Sequence, residues 1–60
     1  MNIEKINIVK EELEKELKIT ERRIFSKEYK KCDEWDKGYL NGREIGLRIA
    51  LQTIRKYLED

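Results

Sequence analysis

The glycines of this chain stand only at Gly38, Gly42 and Gly46, four residues apart, and Ala50 follows at the same interval. Glycine inside a helix costs about 1 kcal/mol relative to alanine, so three in register cost roughly 3 kcal/mol. A helix keeps such a stripe when another backbone packs closely against it. The spacing predicts a helix–helix contact through this segment, most simply between chains.

Size points the same way. Sixty residues bury only about 60% of their unfolded surface and make a marginal domain. Small scaffolds are usually held by disulfides, a metal or a partner chain. Cys32 is the single cysteine and histidine is absent, so neither an internal disulfide nor a zinc site of the usual Cys/His kind is available. Oligomerisation remains. The expected cofactor is none.

Charged residues make up 45% of the chain, yet the net charge is only +1. That balance is a weak lure for nucleic acid. The apolar residues are patterned rather than scattered, against disorder. Proline is absent, and isoleucine, leucine, lysine and glutamate dominate, which favours helix. The segment from Met1 to Ile6 lacks the apolar core of a signal peptide, and no stretch reaches the apolar length of a membrane helix. The expected location is the cytoplasm, where a free thiol is at home.

Apolar residues recur at Ile3, Ile6, Val9, Leu13, Leu17 and Ile24, the spacing of one helix face. Ile8 and Ile19 fall on the opposite side. Glu11–Lys15 and Glu14–Lys18 have the spacing of supporting i,i+4 pairs. Thr20 followed by Glu21 looks like an N-cap and an acidic first turn, with Ile19 and Ile24 as a hydrophobic staple. A first helix over about 3–18 and a second over about 21–58 follow. Asn41-Gly42 is a turn dipeptide and Gly38 a possible C-cap, so a break near 38–42 is the competing reading. Projection at 100° per residue favours continuity. It sets Leu40, Leu47, Leu51, Ile54 and Leu58 on one face. Trp35, Gly38, Tyr39, Gly42, Gly46, Ile49, Ala50, Thr53 and Tyr57 fall on an adjoining broad face. The leucine face suits the first helix folded back on the second, and the glycine–aromatic face is left for another chain. The expected fold is all-α: a helical hairpin with a short first helix and a long glycine-striped second one, assembling as a dimer or higher oligomer.

Those nine residues are the candidate interface. Trp and Tyr are enriched at protein interfaces, although rings beside a small-residue groove also suit stacking on a nucleotide. Asp36 and Arg43 lie within the arc, where they either pair across an interface and fix its register or reach solvent. Two basic groups, Arg22, Arg23, Lys27, Lys30, Lys31 and then Arg43, Arg48, Arg55, Lys56, are diluted by neighbouring carboxylates, and a solvated face competes with phosphate binding. Cys32 has no histidine to activate it, and no carboxylate sits in an evident apolar pocket. The chain reads as a non-enzyme.

The segment from Gly38 to Ala50 resembles the GxxxGxxxGxxxA repeat of the flagellar export stalk family. That resemblance implies a helix that dimerises through its small residues; it covers about a fifth of the chain, and that family's separate globular part has no counterpart here. Trp35-Asp36-Lys37-Gly38-Tyr39, with the glycines and the Ile/Leu tail behind it, looks like small phage and prophage proteins. This implies a regulator or anti-defence inhibitor of host machinery. The expected partners are a second copy of the chain and another protein, with a nucleotide sponge and a nucleic-acid-binding dimer as alternatives.

Overall fold

In a computed structural model, residues 3–59 are described; Met1 and Asn2, part of the segment read as lacking a leader, lie outside them. Two long helices form an antiparallel hairpin: α1 (Ile3–Ile24) and α2 (Glu34–Glu59), joined through a short 3-10 turn at Lys27–Lys31. The molecule measures 43 × 14 × 13 Å, close to a bare pair of helices.

The all-α hairpin expected from periodicity is present, but its bend is not where the cap signal put it. Helix α1 does not end near residue 18. It runs through Thr20 to Ile24, and the second helix begins at Glu34 rather than at Glu21. Thr20 is not a cap, and Ile19 and Ile24 staple nothing there. The Thr20 hydroxyl instead donates to the Glu16 carbonyl one turn back (2.8 Å), and its side chain is 1% exposed. Ser/Thr side chains inside helices satisfy themselves in this way.

The chain leaves α1 at Phe25 and Ser26. Ser26 donates its hydroxyl to the Arg23 carbonyl (2.8 Å), occupying one of the acceptors that a helix end orphans. Asp33 is the true N-cap of α2. Its Oδ1 accepts the Asp36 amide (2.8 Å), and its carbonyl takes the first helical bond, from Lys37 (3.0 Å). Between these points Tyr29 ties the turn to α2: its hydroxyl accepts from Asn41 Nδ2 (2.8 Å), and the Lys37 ammonium lies 5.4 Å from its ring centre. Asn41 is therefore a tether on a helix, not half of a turn. Helix α2 passes unbroken through 38–42, and no glycine has positive φ.

The expected leucine face does pack on α1. Leu40 and Leu51 are buried, Leu51 to 2% exposure, and Leu47, Ile54 and Leu58 are half-buried. Positions 40, 44, 47, 51, 54 and 58 alternate steps of four and three, as do 6, 10, 13, 17, 20 and 24 on α1. That is the seam spacing of helices packed nearly in line. Glutamates of α1 meet arginines of α2 at its edges: Glu16–Arg43 (2.6 Å), Glu21–Arg48 (3.6 Å) and Glu14–Arg55 (3.6 Å). Within α1, Lys15 stands near Glu12 and Lys10 near Glu14, in place of the expected Glu11–Lys15 and Glu14–Lys18 pairs. Such exposed pairs contribute about 0–1 kcal/mol each, but their consistent sign favours this pairing over alternatives.

Candidate interaction surface

Each residue of a helix advances 100°, so Trp35, Gly38, Tyr39, Gly42, Gly46, Ile49, Ala50, Thr53 and Tyr57 span an arc of about 120° on α2. The arc lies on the far side of the helix from Leu40 and Leu51. Trp35 and Tyr57 are 75% and 68% exposed, and Tyr39 and Ile49 are also open to solvent. Thr53 and the three glycines are exposed, while Ala50 is half-buried. A Cβ added at Gly38, Gly42 or Gly46 would meet nothing within 4 Å. Within the chain, then, no neighbour requires the glycines to lack a side chain.

The rings stand in order. Trp35 and Tyr39, one helical turn apart, are parallel to within 4° with centroids 6.1 Å apart, an offset stack. The Thr53 hydroxyl donates to the Ile49 carbonyl (2.9 Å), so it needs no outside acceptor. Lys56 borders the arc on one side and Arg43 on the other. Arg43 stays partly open to solvent, with a side chain 38% exposed, and is held to α1 while standing beside Tyr39 of this face. Its Nη2 donates to Glu16 Oε2 at 2.6 Å and its Nε to the Thr20 hydroxyl at 3.2 Å. The Glu16 hydrogen bond holds the guanidinium pKa above its ordinary value. The Asp36 backbone amide donates to the Asp33 carboxylate, and Asp36 itself is exposed.

The basic residues are not assembled into one patch. Arg22 and Arg23 end α1 and Lys30 and Lys31 end the 3-10 turn, whereas Arg43, Arg48 and Arg55 are occupied by α1 glutamates. A cavity of about 480 Å³ opens at the closed end of the hairpin, with Arg23, Tyr29, Cys32, Asp36, Tyr39 and Leu40 among its lining residues. Cys32 is half-buried, and its thiol donates to the Glu28 carbonyl (3.4 Å). Among the described residues, no group of three or more His, Cys, Asp or Glu side chains could hold a metal ion. No helix among them is long and apolar enough to cross a membrane.

Sequence reasoning missed Phe25, which stands 82% exposed at the end of α1. A lone phenylalanine in a polar run, off both helical faces, was the available signal. Ile8 and Ile19, read as off the core stripe, are exposed as that reading requires. No protein-family pattern, no curated protein and no solved structure matches this chain.

Proposed function

We propose that this chain works by contact rather than by chemistry, as a small helical hairpin that binds a protein chain through the outer face of α2. A regulator or inhibitor of the phage type is the role such a module suits. The observation that carries this reading is the face itself. It runs from Trp35 to Tyr57, holds exposed rings and three glycines with open space above them, and carries no charge at its nine positions. Exposed aromatic residues grouped with depleted charge are the composition of an interface core. A nucleotide or nucleic-acid site would need several free cations beside the rings, whereas Arg43, Arg48 and Arg55 are each paired with an α1 glutamate and Lys56 stands at the edge of the face.

Photo-crosslinking in the source cell tests this. A photoreactive residue replaces Ile49 on the proposed face or, as the control, Lys15 on the exposed side of α1. Protein adducts from position 49 and none from position 15 are expected. Adducts to nucleic acid alone, equal labelling from both positions, or none from position 49 would overturn the reading.

A further inference from the structure

We propose that the outer face of α2 docks against the same face of a second copy, antiparallel, with Gly46 on the two-fold axis. This rests on the reading of that face as a protein-binding surface and names its partner. Four observations support it.

The first is area. The hairpin exposes 5262 Å², whereas a folded monomer of 7.3 kDa exposes about 4,200 Å². The excess, roughly 1,100 Å², exceeds the 800 Å² or so that each partner gives to a standard interface.

The second is charge. An uncharged face meets its own copy without repulsion. A strongly charged partner would instead lose hydration there and find no counter-charge.

The third is spacing. Positions 35, 39, 42, 46, 50, 53 and 57 advance by 4, 3, 4, 4, 3 and 4, a series that reads the same in both directions about Gly46. Antiparallel packing sets Gly46 against the partner's Gly46 and Gly42 against the partner's Ala50. Tyr39 then meets the partner's Thr53, and Trp35 the partner's Tyr57. Ile49, on one flank, falls beside the partner's Gly42, where no side chain obstructs it. Crossing helices are closest at the centre and diverge toward their ends. Residue size follows that gap, with Gly and Ala inside and Trp and Tyr outside.

The fourth is the polarity of the helix. Glu34 and Asp36 lie in the first turn of α2 and Lys56 in the last. Antiparallel copies oppose their helix dipoles and bring the Glu34 end of one toward Lys56 of the other, whereas parallel copies would align the dipoles and set the two first turns side by side.

Sedimentation velocity across a concentration series is the direct test. The chain is expected at twice its 7.3 kDa mass, and Gly46→Leu at the single mass with its helicity by circular dichroism retained. Since Gly46 faces open space within the chain, that variant's dissociation can come only from a second copy. Its dissociation constant should rise by about 30-fold or more, as on loss of a hot-spot contact. Cross-linking fixes the direction. In a Cys32→Ser background, a mixture of Tyr39→Cys and Thr53→Cys chains should oxidise to the mixed disulfide dimer. A chain monomeric at every concentration, a Gly46→Leu variant that still dimerises, or self-paired Tyr39→Cys chains would each overturn the proposal. A monomer whose position 49 still cross-links to a different protein would overturn this inference and leave the contact function standing; a monomer with no adduct would end both.

Discussion

At the residue scale, Thr20 and Asp33 show how one local signal supports two outcomes. Each is a short polar residue followed by an acidic one, the sequence pattern of a helix start. Asp33 is the cap, with its carboxylate on the Asp36 amide. Thr20 is not, because Arg43 from the other helix donates to its hydroxyl and the seam buries its side chain. No window around Thr20 contains Arg43, so the local pattern alone could not choose. Removing the Asp33 cap by Asp33→Ala should cost about 1 kcal/mol, with Asp33→Ser recovering most of it. Urea unfolding followed by circular dichroism measures the difference. Equal midpoints for Asp33→Ala and the parent chain would mean that α2 starts without that cap.

At the scale of elements, the hairpin is set by a seam and its polar edges. The periodic apolar positions were legible as helices facing each other, and Leu40, Leu47, Leu51, Ile54 and Leu58 pack as their spacing implied, whereas Ile3 and Val9, read with the α1 face, stand exposed. The bend was not legible, since residues 25–33 contain neither glycine nor proline, the strongest local breakers. It is held instead by Ser26, Tyr29 and Asp33, each through a hydrogen bond to a particular neighbour. Register along the seam is marked by Arg43, which joins Glu16 and Thr20. Because the Glu16 hydrogen bond raises the Arg43 pKa in the folded state, the stability it confers is full below the unfolded value and lost only as pH climbs through the folded one. That window lies beyond ordinary alkaline conditions. The stability gap between the parent chain and Arg43→Met is thus expected to be equal at pH 7 and pH 10 in urea titrations. A gap that closes by pH 10 would mean that another, weaker base holds Glu16.

For the whole molecule, two helices enclose little. Among the described residues, Leu40 and Leu51 are the buried apolar side chains and Thr20 is the buried polar one, and the other seam positions are half-open. A core so small responds sharply to truncation. Leu51→Ala should lose about 2–5 kcal/mol, the usual range for a buried leucine, which is a large part of what a domain of this kind has. Ile19→Ala, on the exposed side of α1, should change the melting temperature little by comparison. Similar losses for both would place the core elsewhere.

Composition and periodicity by themselves determined that this chain is helical, that its second helix is long and continuous, and that α2 has two apolar faces. Those properties follow from the 3.6-residue repeat and from propensities summed over many positions, and they survive any choice of partner. Tertiary structure decided where the chain bends and that Thr20 is a buried acceptor rather than a cap. It also turned Arg43, Arg48 and Arg55 toward α1. The reason is physical: a hydroxyl, an arginine or a glycine has several locally acceptable conformations, and the choice among them is made by groups more than twenty residues away, as Thr20 and Arg43 are.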